Sequence, residues 1–247
     1  MSPSGSASIT RRRLGFLASP RRHSYFAALA GALLAGCGPK PAGVAPAGAF
    51  SPATRQQLLW AAAQTAPKQY EIVRLSWRSD DGQLQLSGGG AARIAPPDSL
   101  RADISASLGI GRATVILTGD SVQAQPPNLV DRVLPDRFAL WAVLGVMRAP
   151  AGEWNTERLE DGARTVWRVT DAAGRITMFE LSNGALATVT RTEGGQTTSQ
   201  LRLTRDANGL VRQASLTDYR HSMRLNVDIT GREPSAAFAP DTWQLRP

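Results

Sequence analysis

The segment Glu71–Leu108 reads EIVRLSWRSDDGQLQLSGGGAARIAPPDSLRADISASL. Val73, Leu75 and Trp77 alternate with Arg74, Ser76 and Arg78. Successive side chains of a strand point to opposite faces, so this pattern predicts a strand with one apolar and one solvated face. Asp80-Asp81-Gly82 signals a hairpin turn. Leu84, Leu86, Gly88, Gly90, Ala92 and Ile94 then share one face. Leu100, Ala102, Ile104, Ala106 and Leu108 share another, opposite Arg101, Asp103, Ser105 and Ser107. Consecutive hairpins make the sheet antiparallel. Gly88-Gly89-Gly90 in mid-strand permits sharp curvature or the close approach of a helix; a plain loop is the alternative.

The same period of two runs through the rest of the chain. Val115 and Leu117 continue it after Gly109-Ile110-Gly111, and further segments occur near 153–159, 164–170, 175–182, 185–192, 197–205, 210–219 and 222–230. Turn signals such as Asn183-Gly184, Gly194-Gly195 and Asn208-Gly209 separate them. About eleven strands result. Two stretches differ. Ser51-Pro52 reads as an N-cap with proline at the first helical position, predicting a helix to about Thr65, with Leu58, Leu59 and Ala62 or Ala63 facing inward and Pro67 as its stop. Phe138–Met147, FALWAVLGVM, carries no charge. A helix apolar on every side is buried against a sheet or plugs an apolar space, and at about 15 Å it is too short to cross a bilayer. The fold class expected is mostly β: an incomplete antiparallel β-barrel of about eleven strands wrapped around two to three helices.

Upstream of this domain the composition changes. The first 36 residues hold Arg11, Arg12, Arg13, Arg21 and Arg22 and no acid, and the apolar run from Tyr25 to Gly36 has the length of a secretory h-region. It closes on Leu34-Ala35-Gly36-Cys37, which resembles the lipobox of bacterial lipoprotein precursors. The resemblance implies cleavage after Gly36 and lipidation of Cys37, palmitate among the acyl groups. Two readings of the start fit: a twin-arginine export signal around Arg11–Arg13, or a start codon assigned too early. Residues 38–50, GPKPAGVAPAGAF, form a flexible tether. The expected organisation is thus a signal peptide over 1–36, a lipidated cysteine and tether over 37–50, and a single lipid-binding half-barrel domain over 51–247.

Composition excludes several classes. The net charge of +8 falls to +3 once the leader is removed, and no basic cluster with interleaved aromatics follows, so nucleic acid is not an expected partner. One histidine, His221, remains after the leader, with no nucleophile elbow near it. No His, Cys and carboxylate grouping has metal-ligand spacing. Gly109-Ile110-Gly111 lacks the third glycine of a dinucleotide fingerprint. The expectation is a monomer that is not an enzyme and takes neither metal nor cofactor. Six tryptophans, Trp60, Trp77, Trp141, Trp154, Trp167 and Trp243, predict a large apolar interior.

This layout resembles the LolA/LolB family of periplasmic lipoprotein carriers, of which LolB-type members are themselves outer-membrane lipoproteins. Ser107-Leu108-Gly109 is similar to the protruding Leu-Gly loop of LolB, with Ser107 where a proline commonly stands. Leu134-Pro135, Leu140-Trp141 and Leu144-Gly145 resemble the family's proline-led helix, and Asp218–Ile229 its late strand pair. The resemblance implies an insertase on the periplasmic side of the outer membrane, held there by its lipid. Gly38 in place of the aspartate that retains enteric lipoproteins in the inner membrane agrees with that site. The implied partners are the acyl chains of lipoproteins or lipids and a periplasmic LolA-like carrier. Leu108 and Ile110, on a glycine-flanked tip, become candidates for membrane insertion. Val73, Leu75, Trp77, Leu84 and Leu86 become the floor of an apolar cavity, and Phe138, Leu140, Trp141, Leu144 and Met147 its lining or lid. A lipid- or lipoprotein-sensing regulator on the same fold and a structural envelope lipoprotein with a filled core are the alternatives.

Overall fold

The computed structural model describes residues 48–107, 111–119, 121–126 and 137–245. Cys37, Leu108 and Ile110 lie outside these residues, as does the side chain of Phe138. Thirteen antiparallel strands form one sheet among the described residues. In chain order they are β1 (Ser51–Ala53), β2 (Glu71–Asp80), β3 (Gln85–Ala95), β4 (Ser99–Ala106), β5 (Gly111–Thr118), β6 (Ser121–Gln125), β7 (Trp154–Asp161), β8 (Arg164–Asp171), β9 (Ile176–Ser182), β10 (Ala185–Glu193), β11 (Gln196–Arg205), β12 (Val211–Asp218) and β13 (Met223–Pro234). Two α-helices accompany them, α1 (Arg55–Thr65) and α2 (Arg137–Val143), with a 3-10 turn at Pro240–Trp243.

The sheet is two meanders joined at one seam. Strands β7 to β13 run as successive neighbours, β13 then pairs with β2, and β2 to β6 follow. The seam places Val227 opposite Trp77 and Ile229 opposite Leu75. The sheet does not close: β1 and β6 are its edges. Both are short, which limits the unpaired backbone that an edge offers to other chains. The apolar faces of the strands and the buried sides of both helices meet in one core that includes Phe179, Leu58, Val73, Leu186 and Leu225.

Three expectations are corrected. The helix expected from Ser51-Pro52 begins at Arg55. Ser51–Ala53 is instead an edge strand on β7, one of the few places in a sheet where proline is tolerated. Thr54 caps the helix: its hydroxyl accepts from Gln57 N at 3.2 Å, and the Gln57 side chain accepts from Thr54 N at 2.8 Å. Its inward face is Leu58, Ala61 and Ala62, so Leu59 turns outward and Trp60 is 68% exposed. The second helix ends at Val143 rather than Met147. Gly145 has φ +84°, its N–H bonds to Ala142 O at 2.9 Å, and Val146 N bonds to Trp141 O at 3.0 Å. This is a Schellman stop, in which a residue in the left-handed region lets two amides turn back onto the last carbonyls. Third, the tryptophans are not all interior. Trp77, Trp141 and Trp167 are buried, while Trp243 meets Phe238 edge-on at 5.9 Å, and Phe238 meets Tyr70 at 5.8 Å.

Candidate functional site

The centre of the concave face is apolar. Leu75 and Trp77 of β2, Ala92 of β3, Leu100, Ala102 and Ile104 of β4, and Leu225 and Val227 of β13 face Leu140, Val143 and Leu144 of the α2 segment across a cavity of about 60 Å³. No charged side chain lines it. Binding in such a space is driven by removal of hydrocarbon from water and needs no directional group. The volume is several-fold below the roughly 300–1,000 Å³ of small-molecule pockets. Leu140, Val143 and Leu144 of the α2 segment form one wall of the cavity.

Several contacts hold α2 in place. Ala139–Val143, Leu144, Val146 and Met147 are all buried. Met147 N donates to the Thr65 hydroxyl at 2.8 Å, and that hydroxyl donates to Ala62 O at 2.8 Å, which ties the exit of α2 to the end of α1. The Arg148 guanidinium lies over the Trp141 ring at 4.5 Å and donates to Pro97 O at 3.3 Å. The hydrogen bonds and the cation contact act at or beyond Trp141.

A glycine pair shapes the floor. A Cβ on Gly88 would sit 1.8 Å from Ser105 O, and one on Gly90 would sit 2.5 Å from Asp103 O. A Cβ on Gly89 would meet nothing nearer than Leu75 O at 3.5 Å. The approach expected at these glycines is made by the backbone of β4, not by a helix, and the β3–β4 register runs through them without a bulge.

Of the nominated lining residues, Leu75, Trp77, Leu140 and Leu144 come together at the cavity. Val73, Leu86, Trp141 and Met147 belong to the surrounding core without lining it. Leu84 does not face inward. It is 40% exposed in the β2–β3 turn, where its N–H donates to the Asp81 carboxylate at 2.7 Å, so the strand begins one residue later. Ala92, Leu100, Ala102, Ile104, Leu225, Val227 and Val143 were not nominated. All but Val143 sit at the right parity in alternating segments. The missing information was the β13–β2 seam, which joins strands about 150 positions apart.

The solved structure of a LolA superfamily protein from Nitrosomonas europaea superposes with a TM-score of 0.53 at 11% identity, covering 75% of this chain and 95% of the other. The chain has the LolA-like fold. Also similar, at a TM-score of 0.46 each, are a putative outer membrane lipoprotein-sorting protein domain from Vibrio parahaemolyticus (8% identity, 75% of this chain and 94% of the other) and a DUF1329 family protein from Desulfovibrio piger (9% identity, 76% and 95%). No family model and no curated protein matches the sequence.

Outside the interior, the LolA-like sheet carries a polar cluster on β3, β4 and β5. Asp103 accepts from Arg93 at 2.6 Å, Arg101 at 3.0 Å and Thr114 at 2.8 Å. Burial acts to raise its carboxyl, but these hydrogen bonds and the Arg101 charge outweigh it and hold the group below its ordinary value. His221 lies in the β12–β13 turn with Nδ1 2.8 Å from the Asp218 carboxylate, which also accepts from the backbone of Arg220 and His221. This is a carboxylate ordering a turn.

Proposed function

We propose that the protein is a lipoprotein carrier or insertase, lipidated at Cys37, held to the outer membrane and facing the periplasm. It accepts acyl chains beneath α2 and delivers them to the bilayer. The observation that carries this reading is the cavity lined only by apolar side chains and covered by a helix whose residues from Ala139 to Val143 are all apolar and buried. The LolA-like fold supports it. Displacing α2 together with its exit to Met147 exposes six large side chains, Leu140, Trp141, Val143, Leu144, Val146 and Met147, at roughly 1.5–3 kcal/mol each. An acyl chain of roughly 15 carbons returns about 0.8 kcal/mol per CH₂, near 12 kcal/mol. One chain about balances the loss of α2 packing, and two exceed it, so a diacylated cysteine suits the exchange better than a single fatty chain. Leu108 and Ile110, at the β4–β5 connection, are the groups that would enter the bilayer.

The test is transfer of a purified lipoprotein to liposomes by the mature, lipidated protein. Leu108→Glu is expected to slow insertion while leaving cargo binding intact; transfer at the parental rate would remove the insertion role. The small size of the cavity favours a second reading, a structural envelope lipoprotein with a filled core. The two readings part on whether α2 leaves its seat for an acylated ligand.

A further inference from the structure

A second cleft, of about 330 Å³, opens between the end of α1 and the end of α2. Its walls carry Lys68, Arg205 and Arg232 against one carboxylate, Glu71. Glu71 is already engaged by Arg232 at 2.9 Å. Arg205 is half-buried and, among the described residues, donates to neutral acceptors only, Leu186 O at 2.8 Å and Gly209 O at 2.7 Å. Arg232 keeps a buried Nε that has no hydrogen-bond partner among the described residues. Burial, and then the charge of Arg232, push the Arg205 guanidinium below its ordinary value. A desolvated cation without a counter-ion is costly, and two guanidinium forks in one cleft match the oxygens of a phosphate or carboxylate. Leu144 lines both this cleft and the apolar cavity beneath α2. Gly145, next in the chain, lies so close to Arg205 that a Cβ there would sit 3.0 Å from its Nη2.

We infer that this cleft holds the anionic head group, a phosphate or a carboxylate, of an amphiphile whose hydrocarbon chain runs past Leu144 into the space under α2. This rests on the reading of the interior as an acyl-chain site and names the ligand class: a charged lipid, not only the neutral diacylglyceryl group of a lipoprotein. The head would bring the negative charge that the cleft lacks.

The test is calorimetric titration of the full mature chain with four probes: a lysophosphatidic acid, a fatty acid and a monoacylglycerol of equal chain length, all below their micelle concentrations, and inorganic phosphate. The anionic lipids are expected to bind about tenfold or more tighter than the monoacylglycerol. That preference should vanish in Arg205→Gln, or in Arg232→Gln if the first variant does not fold. Lysophosphatidic acid above fatty acid assigns the cleft to phosphate, and the reverse order to carboxylate. Equal binding of charged and neutral chains keeps the acyl-chain reading and overturns the head-group site. Binding of phosphate alone, with no gain from a chain, keeps the head-group site and overturns the acyl-chain reading. An unchanged preference in the arginine variants overturns the assignment to these residues.

Discussion

Gly88 and Gly90 show how much of this fold depends on single atoms that are absent. Each would drive a Cβ into a backbone oxygen of β4, and backbone cannot step aside as a side chain can. Gly88→Ala or Gly90→Ala should therefore destabilise the protein by about 2–3 kcal/mol or more, by opening the β3–β4 ladder. Gly89→Ala, between the two but with no atom nearer to its Cβ than Leu75 O at 3.5 Å, should be neutral within about 0.5 kcal/mol. Urea denaturation of the three variants checks the contrast; equal stabilities would mean that β3 and β4 do not approach as described. Asp103 gives a prediction in pH. Its carboxyl is held low in the folded state, so its contribution is present above the unfolded value near 3.9 and is lost as pH falls through the folded value. Asp103→Asn should cost about 1–2 kcal/mol at pH 7, discounted for the partial exposure of the cluster. The gap between variant and parent should close toward pH 2; a gap independent of pH would assign the loss to packing.

At the scale of elements, hairpins were legible and edges were not. Turn signals such as Asn183-Gly184 fall between β9 and β10, and the alternation of β13 from Met223 to Ile229 matches its burial. The two strands beyond the expected eleven are β1 and β6, both edges. β1 has three residues, and its partner β7 lies about a hundred positions on, so no local pattern announces it. β6 does alternate, with Val122 and Ala124 packed against the core, but it is short and runs into Pro126-Pro127. The α2 segment was legible as buried because Phe138–Met147 carries no charge; its stop falls at Leu144-Gly145, where glycine is both the cap and the point of approach to Arg205 and Val211. Gly145→Ala combines the cost of a left-handed residue with a contact 2.8 Å from Val211. It should lower stability by about 1–3 kcal/mol and raise hydrogen exchange in Trp141–Val146 before the rest of the sheet; uniform loss of protection would contradict a local role.

At the scale of the molecule, the described residues form a thirteen-stranded open sheet whose central apolar cavity is covered by the short α2 segment. The inner face was readable strand by strand, whereas the cavity was not, because it forms only where β13 meets β2 and α2 covers the seam. Leu225 and Val227 lay in a clean alternating strand, yet nothing local to them says that Leu75 and Trp77 are their neighbours. With α2 seated, the space left is about 60 Å³, so the central claim is that acyl chains bind by taking the place of α2. Hydrogen exchange across Ala139–Met147, in the mature protein with and without a diacylated cysteine peptide, tests it directly. The account predicts that the acylated peptide binds, the unacylated one does not, and exchange over Ala139–Met147 rises by about tenfold or more while β2 stays protected. Absence of binding, or binding that leaves α2 as protected as before, would contradict it.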